Sequence, residues 1–483
     1  MKTILFQSLL LCAVTTSGYG QAVERLTLQQ AVDMARAQSI AARQAATTRE
    51  TRYWEYRTFQ SNFKPQLLLD SRLPAFTRSF NEVVQPDGTI LFQPVRYNNS
   101  SVGLSLEQNI ARTGGTIYAT TQMQRFDDFS RNNTLYNGTL FAVGLEQPLF
   151  RFNELKWGRK IEPLKYQESR QEFIESLEEI AFRASNLYFD LLLAQVNLSI
   201  ATTNQKNTDD ILRIAQEKFD LGKISRNEIL QLRLEQLKSE KAVATARRDV
   251  EICTLNLKAY IGLQNGDKLE LEEPWPQTKP AVSAEKALAE AFANRADAIA
   301  FSRRLLEAKR DVAKAKTESG LNATLTANLG FSNRGQTIGE VYEQPQNQQL
   351  VSVAFTMPIL DWGRTQSRRK TAEANQQLTQ YTIEQDQQNF KQQIYTQVTL
   401  FEMLKDQLSL TAQADSIAAE KYQIAKDRYV LGDLSITDLS IAFTEKDQAR
   451  RDYISALRDY WAAYYQLRWL TLYDFEKQQK ILE

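Results

Sequence analysis

The sequence predicts a mixed α/β membrane protein that consists mainly of long α-helices and is built from two tandem repeats. The evidence for duplication is that two unrelated motifs recur at one offset of 210 residues. Gln147-Pro148-Leu149-Phe150 returns as Met357-Pro358-Ile359-Leu360, and Leu221-Gly222-Lys223-Ile224-Ser225 returns as Leu431-Gly432-Asp433-Leu434-Ser435. A shared offset of this kind marks a duplicated structural unit. Each unit joins short alternating segments to helix-compatible segments of unusual length.

The composition argues against nucleic-acid binding and gives no support for catalysis. Lys and Arg number 59 and Asp and Glu 58, so the chain lacks the bulk positive charge that binds phosphates. Histidine, the commonest zinc ligand and the usual acid–base group near neutral pH, is absent. The sequence shows no nucleophile–base pair and no metal-ligand cluster with useful spacing. We therefore expect no catalytic residue, no metal and no cofactor, and we do not expect an enzyme.

Residues 1–20 are predicted to be a secretory signal peptide. Lys2 supplies the positive start, residues 4–14 the apolar run, and Gly18-Tyr19-Gly20 a small-residue cleavage site before Gln21. The apolar run is too short to span a bilayer, which argues against a membrane anchor. Cys253 would then be the single cysteine of the mature chain, so no internal disulfide is expected.

Four segments alternate with a period of two, at 101–107, 139–145, 324–331 and 351–357. Each carries apolar side chains on one face and small or polar side chains on the other. The apolar sets are Val102, Leu104 and Leu106; Phe141, Val143 and Leu145; Leu325, Ala327, Leu329 and Phe331; and Val351, Val353, Phe355 and Met357. This pattern is typical of a barrel wall between lipid and an aqueous lumen. A soluble β-sandwich would pack the same apolar face and remains an alternative.

The first repeat has a further candidate hairpin. Arg112-Thr113-Gly114-Gly115 is a tight-turn signal, and residues 116–123 after it alternate between apolar or small and polar side chains. The stretch 81–100 contains Pro86-Asp87-Gly88 and Pro94, and we expect it to be an exposed loop.

Each repeat ends in a predicted hairpin of two long helices, at about 158–262 and about 363–472. Residues 365–431 contain neither Gly nor Pro, and this length corresponds to roughly 100 Å of helix at about 1.5 Å per residue. Apolar stripes such as Phe390, Ile394 and Val398 are flanked by Gln, Asn, Thr and Ser. Two solvent-exposed polar faces beside a packed apolar stripe would suit the wall of a hollow helical tube. An extended coiled coil is the alternative.

The strand-to-helix junctions follow a common plan in the two repeats. Pro148 and Pro358 cannot donate a hydrogen bond to a strand ladder, so we place them at a strand end or bend. Trp157-Gly158 and Trp362-Gly363 follow, where a membrane interface would lie. A tryptophan there could anchor in lipid headgroups, although a packing role is equally open.

The same order of features occurs twice: a strand pair, a proline junction (Pro-Leu-Phe, then Pro-Ile-Leu), a long helical hairpin and a Leu-Gly-x-x-Ser tip. This order resembles the TolC family of outer-membrane efflux proteins over roughly residues 24–473. The resemblance implies a homotrimer with a shared outer-membrane β-barrel, continued by a periplasmic α-helical barrel. Its partners would be outer-membrane lipid, a periplasmic adaptor (membrane fusion protein) and an inner-membrane transporter that supplies the energy. The protein would be a passive export channel, whose cargo and pump class stay open.

The resemblance also assigns roles to the two hairpin tips. The positions that match the family's adaptor-docking tips are Leu221, Gly222, Ser225, Leu431, Gly432 and Ser435. Glu228 and Asp438 each lie six residues after a tip glycine and match acidic positions at the periplasmic entrance. Three-fold symmetry would turn them into carboxylate rings that bind cations and close the pore. The alternative is that each is a helix-start acid stabilised by the macrodipole.

Some features depart from the family pattern. Leu434 stands where some members have a gate arginine, and Ile441 stands where some have a second acid, so closure could depend on apolar packing of the tips. The strand region of the first repeat is 46 residues longer, since Ala31 to Pro148 is 117 residues and Ala287 to Pro358 is 71. Two strands per repeat would give the family's twelve in a trimer, whereas an inserted hairpin in the wall would give eighteen.

The predicted organisation is therefore a signal peptide (1–20), a first repeat (21–265), a connector (266–283), a second repeat (284–473) and a short tail (474–483). Within the repeats, the strands are expected at about 66–147 and about 323–357. A periplasmic coiled-coil scaffold or adaptor without a pore is the rival function, but it leaves the alternating strands unexplained.

Overall fold

The structure is a computed structural model that describes residues 23–222, 224–263, 268–276, 280–431, 433–434 and 436–482. The predicted signal peptide lies outside the described residues. The chain divides into two compact units. Unit 1 comprises Met1–Ala46, Ile174–Ala291 and Ile394–Glu483, and unit 2 comprises Thr47–Phe173 and Phe292–Gln393.

Strands and helices are numbered separately along the chain. The strands are β1 (Val23–Leu26), β2 (Gln66–Arg72), β3 (Phe76–Val84), β4 (Ile90–Ile110), β5 (Gly115–Asp128), β6 (Asn133–Leu149), β7 (Lys268–Leu271), β8 (Asn322–Gly335), β9 (Gln346–Thr356), β10 (Tyr473–Asp474) and β11 (Gln479–Lys480). The helices are α1 (Leu28–Gln38), α2 (Ile40–Ser61), α3 (Glu154–Asp220), α4 (Arg226–Ile261), α5 (Ala284–Asn294), α6 (Ala296–Glu318), α7 (Ile338–Tyr342), α8 (Arg364–Leu431) and α9 (Ile436–Thr471).

Unit 2 is organised around one antiparallel sheet. Its strand order is β2-β4-β5-β6-β8-β9, and β3 also pairs with β4. β2 pairs with residues 101–107 of β4 and β3 with residues 90–98, so the two short strands follow one another along the same edge. The sheet therefore has six strand positions, four from the first repeat and two from the second.

The expectation of an exposed loop at 81–100 was wrong. Residues 81–84 belong to β3 and residues 90–100 to β4, and they are joined by a turn in which the Gly88 backbone N–H donates to the Gln85 carbonyl. Pro94 pairs in register with Phe80 inside this ladder. It is tolerated because residues 90–96 of β4 pair with β3 on one side only, so the missing proline N–H disrupts no second ladder.

The apolar residues of the alternating segments share one face of this sheet. Leu106 pairs with Ala119, Ala119 with Val143, and Val143 with Leu329, so the apolar face runs unbroken from β4 to β8. It extends to both edges, because Leu67 pairs with Leu106 and Ala327 with Val351. At its far end, Val341 of α7 is buried on the same face, where it meets Met123 and the Gly138 backbone.

Unit 1 contains α4, α9 and the larger parts of α3 and α8, whose first residues belong to unit 2. The predicted hairpins are present as α3 with α4 and α8 with α9, and α3 passes through Pro163 without ending. Long runs free of glycine and proline keep the backbone in the helical region, and the buried stripes provide the packing. The largest fully buried side chains of this unit include Tyr188, Leu257, Phe401, Leu408 and Tyr460.

Two short pairings complete unit 1. β1 pairs in parallel with β7, so the predicted connector contains a strand. The Tyr188 hydroxyl donates to the Leu26 carbonyl at 2.9 Å, which ties this pair to α3. The predicted tail forms the small antiparallel pair β10–β11. Among the described residues, no helix is long and apolar enough to cross a membrane.

Candidate functional site

The first hairpin tip lies between the end of α3 at Asp220 and the start of α4 at Arg226. Gly222 has φ +68°, a left-handed conformation that glycine adopts without a Cβ penalty, and no heavy atom lies within 4 Å of the position of an added Cβ. Leu221 beside it is 69 % exposed. The glycine therefore permits a tight reversal that presents an apolar side chain to solvent.

Ser225 and Glu228 form a reciprocal cap at the start of α4. The Glu228 backbone N–H donates to Ser225 Oγ at 3.3 Å, and the Ser225 backbone N–H donates to Glu228 Oε2 at 2.6 Å. These bonds satisfy two backbone donors that the helix itself leaves without partners. The Ser225 backbone N–H holds the pKa of the Glu228 carboxyl below its usual range. Glu228 is thus an exposed, ionised carboxylate and also a helix cap, which supports the helix-start alternative for its structural role.

The second tip lies between the end of α8 at Leu431 and the start of α9. Gly432 and Ser435 lie outside the described residues. Leu431 is 76 % exposed, and it is the repeat counterpart of Leu221. Asp438 lies exposed in the first turn of α9. Both tips therefore present a leucine to solvent and carry an acid at the start of the second helix.

Apolar packing supports the second tip from below. Ala425, Leu439 and Ala442 form a buried cluster between α8 and α9, and Leu434 packs against it. According to the sequence resemblance, Leu434 stands where some family members have a gate arginine. Ile441, at the other departing position, is exposed. The structure thus gives Leu434 a packing role within the hairpin.

Polar contacts join the two hairpins below their tips. The Asn204 amide on α3 donates to Asp447 Oδ2 on α9 at 2.8 Å, and the Asn207 amide donates to the Tyr422 hydroxyl on α8 at 3.4 Å. Beside these contacts runs a groove of about 1200 Å³ that all four helices line. Cys253 lines it and is half-buried, and burial raises the pKa of its thiol.

A buried ionic cluster that sequence reasoning missed holds the far end of α9 in unit 1. Glu178 of α3 is 1 % exposed, and it accepts hydrogen bonds from Arg468 Nε at 3.0 Å and from Arg36 of α1. Arg468 Nη1 also donates to Asp474 Oδ2 at 2.6 Å, and the Tyr464 hydroxyl donates to Asp474 Oδ1 at 2.9 Å. Burial alone would lower the pKa of Arg468, but Glu178 and Asp474 raise it above its ordinary value, so the guanidinium stays protonated.

The strand-to-helix junctions lie in unit 2. Pro148 is the second-last residue of β6, and Pro358 is the second residue after the end of β9. Trp362 is 90 % exposed at φ +52°, next to Gly363 at φ +80°. Trp157 is half-buried, with the Lys160 ammonium 5.4 Å from its ring centroid.

Gly158 has a packing role at the first junction, because an added Cβ would lie 2.7 Å from the Phe59 ring. The two junctions therefore differ in exposure. The first is packed against α2, whereas the second presents an apolar stretch to its surroundings.

A side chain before each of the two longest helices accepts a backbone N–H of the first turn. Asn153 Oδ1 accepts from the Lys156 backbone N–H at 2.9 Å at the start of α3, and Asp361 Oδ2 accepts from the Thr365 backbone N–H at 2.8 Å at the start of α8. Asn153 immediately precedes α3, a position where Asn is favoured because it satisfies a backbone donor of the first turn. Asp361 lies three residues before the first residue of α8 and satisfies such a donor from the preceding turn. Among the described residues, no group of three or more Cys, Asp and Glu side chains is arranged to hold a metal ion.

Comparison with known proteins decides the family. A family model described as outer membrane efflux protein matches residues 96–263 and 284–471, one match in each repeat. The chain belongs to the outer membrane efflux protein family. No curated protein sequence matches this efflux protein.

Solved structures show the same fold. The efflux protein matches the CmeC outer membrane channel of Campylobacter jejuni with a TM-score of 0.66 and 15% identity, covering 94% of this chain and 87% of that one. It matches the MtrE outer membrane channel of Neisseria gonorrhoeae with 0.64 and 16%, covering 92% and 88%. For the outer membrane protein VceC of Vibrio cholerae the values are 0.63 and 14%, covering 94% and 96%.

The family match identifies the protein as an outer-membrane export channel and favours this function over the pore-less periplasmic scaffold. The resemblance to the TolC family stated from the sequence is confirmed. The family is one of channels, not of enzymes. The tips, the caps and the apolar sheet face are the parts of the structure that such a channel can use.

Proposed function

We propose that three copies of this efflux protein form the outer-membrane duct of a tripartite exporter and that the hairpin tips dock on its periplasmic adaptor. The observation that carries the proposal is the pair of exposed leucines, Leu221 and Leu431, which stand at matching positions at the ends of two equally long hairpins. An exposed apolar residue on a reversal gives a partner protein something to bury. The duct conducts passively, and an inner-membrane transporter supplies the energy.

The sheet supports the trimer. β9 pairs only with β8, and β2 and β3 pair only with β4, so both edges of the described sheet lack a neighbour within the chain. In lipid, each unpaired backbone group costs several kcal/mol, and strands therefore span membranes only as closed barrels. Copies of the same chain can pair edge to edge and close such a barrel, with outer-membrane lipid around the apolar face.

Within this duct, the two repeats, 21–265 and 284–473, alternate around the axis. Glu228 and Asp438 then form acidic rings at the periplasmic entrance, where they favour cations. Balanced total charge argues against nucleic acid as a partner.

The test combines assembly with adaptor binding. Leu221→Asp with Leu431→Asp should abolish export and adaptor cross-linking in cells, because aspartate at both tips removes the apolar contact. The same variant should keep the trimer mass by light scattering after detergent extraction.

The matched control is Glu217→Gln with Asp427→Asn, two exposed tip-proximal positions that are also repeat counterparts. It should export normally. Export at the unmodified level by the double leucine variant would refute docking by the tips, and a monomer mass would refute the trimer.

A further inference from the structure

The first repeat contributes two more strand positions to the sheet than the second. β4 and β5 are joined at residues 111–114 by a short turn in which the Gly114 backbone N–H donates to the Ile110 carbonyl at 2.7 Å. Both strands are paired on their two sides within one sheet, β4 with β2 and β5, and β5 with β4 and β6. The additional hairpin is thus an interior part of the sheet, not an appendage at its edge.

The apolar face is as continuous through this hairpin as elsewhere. On β4 and β5, Leu104, Leu106 and Ile117 face the same side as Val143 of β6 and Leu329 of β8. The opposite side carries Ser105, Thr120 and Asn328. If the hairpin stood outside the membrane, no physical requirement would keep this alternation in register with the neighbouring strands.

The edges also indicate where further strands attach. Val351 at the β9 edge is 73 % exposed and Leu67 at the β2 edge 70 %, whereas Val143 in the interior is 41 % exposed on the same face. Because the sheet has an even number of strand positions and neighbours run antiparallel, β9 of one copy meets β2 and β3 of the next in antiparallel orientation. The occupant of each edge is therefore a second copy of this chain.

We propose that the β4–β5 hairpin is part of the transmembrane wall, so that three copies close an eighteen-stranded barrel in place of a twelve-stranded one. This inference rests on the trimer of the proposed function. With strands about 4.8 Å apart and tilted about 40°, eighteen strands give a backbone radius of about 18 Å and twelve strands about 12 Å. Barrels of 16–18 strands leave an aqueous channel. The outer exit of this duct is therefore wide and lined by small polar side chains, and it suits bulky polar cargo.

The first experiment measures the barrel radius in the intact trimer. A nitroxide spin label is attached at Thr326→Cys, on the polar face of β8, in a Cys253→Ser background, and distances between copies are measured by pulsed electron paramagnetic resonance. Three equivalent points lie √3 radii apart, so the eighteen-stranded barrel gives about 31 Å between backbone positions and the twelve-stranded one about 21 Å. A distance near the shorter value would overturn the proposal.

A matched variant removes the uncertainty in label orientation. Phe76 pairs with Asn98, Asn98 with Asp127, and Asp127 with Thr134, so Phe76 and Thr134 lie at one level on either side of the hairpin. Replacing residues 78–132 with Asn-Gly, a dipeptide suited to a two-residue turn, would bring Thr77 and Asn133 into direct pairing. With the same label, the distance should fall by about 10 Å. An unchanged distance would show that the hairpin never belonged to the wall.

A second measurement on the full-length chain does not depend on folding of the shortened variant. Spin labels at Ala119→Cys and Thr120→Cys, in the same Cys253→Ser background, lie on opposite faces of β5. In reconstituted vesicles, the first should be relaxed by oxygen dissolved in lipid and the second by a water-soluble nickel complex. Accessibility of both labels to the nickel complex would place the hairpin outside the membrane and overturn the proposal.

The outcomes separate the two proposals. A monomer mass by light scattering would refute the trimer itself. A trimer mass with the shorter label distance would retain the proposed function and reject only the wider barrel.

Discussion

The two repeats of this efflux protein have kept their helices and changed their strands. α3 has 67 residues and α8 has 68, and α4 and α9 have 36 each. By contrast, the first repeat supplies four strand positions to the sheet and the second supplies two. The nearly equal helix lengths fit the proposed docking of both tips on one adaptor, which would require the two tips to end at the same level. A sheet tolerates insertion more easily, since a whole hairpin can be added without altering the alternation of its neighbours.

The repeats also differ in where they bury charge. Glu178 of α3 is buried and paired with Arg468 and Arg36, whereas its counterpart 210 residues later, Gln388 of α8, is exposed. Arg468 itself corresponds to Lys258, which is also buried. In the Glu178–Arg468 pair, the first repeat therefore supplies the carboxylate and the second the guanidinium. The duplication produced the two similar helices α3 and α8, but only α3 carries a carboxylate of this cluster.

The largest predicted effect comes from removing the buried carboxylate that only the first repeat has. Glu178→Ala should destabilise the protein by about 3–5 kcal/mol, because it leaves Arg468 buried without one of its carboxylate partners. The matched change Gln388→Ala removes an exposed side chain and should fall within about 0.5 kcal/mol. Thermal unfolding of the detergent-solubilised protein, followed by circular dichroism, measures both. Equal shifts in the two variants would show that the cluster contributes nothing specific.

Local signals explain what the sequence could predict. The long helices follow from long runs without glycine or proline, such as 164–220 and 364–431, and the tips from Leu-Gly at a repeated offset. The ladder at 90–98 was missed because Pro94 and Asn98-Asn99 are turn formers, and only the pairing with β3 shows that this proline is harmless. The Glu178–Arg468 pair had no signal, since the two residues are 290 positions apart and neither is unusual on a helix. The Ser225–Glu228 cap, by contrast, is readable as Ser-x-x-Glu.

A smaller effect is expected when the Ser225–Glu228 cap is removed from the first tip and the second tip is left unchanged. Ser225→Ala removes the acceptor for the Glu228 backbone N–H and should cost about 1 kcal/mol of local stability at the start of α4. Hydrogen exchange at residues 228–229 should accelerate about five-fold, while exchange at the start of α9 in the second tip stays unchanged. Ser239→Ala is the control, because its hydroxyl bonds to the Gln236 carbonyl in the middle of α4. Equal acceleration by the control would argue against a specific cap.

The smallest effect concerns the carboxylates of the proposed periplasmic entrance and the dependence of their charge on pH. Asp438→Asn should weaken the preference for cations in planar-bilayer recordings at neutral pH, whereas Asp452→Asn, an exposed change further along α9, should leave it unaltered. The preference that remains after Asp438→Asn is expected to come from Glu228. Because hydrogen bonding lowers the pKa of that carboxyl, it stays ionised as the pH falls to about 4, near the ordinary value for glutamate.

The remaining preference should therefore persist down to about pH 4 and be lost only below it. Adding Glu228→Gln should remove it at every pH. Full cation preference in the double variant would mean that the two carboxylates are helix-start acids alone and that selectivity is set elsewhere in the duct.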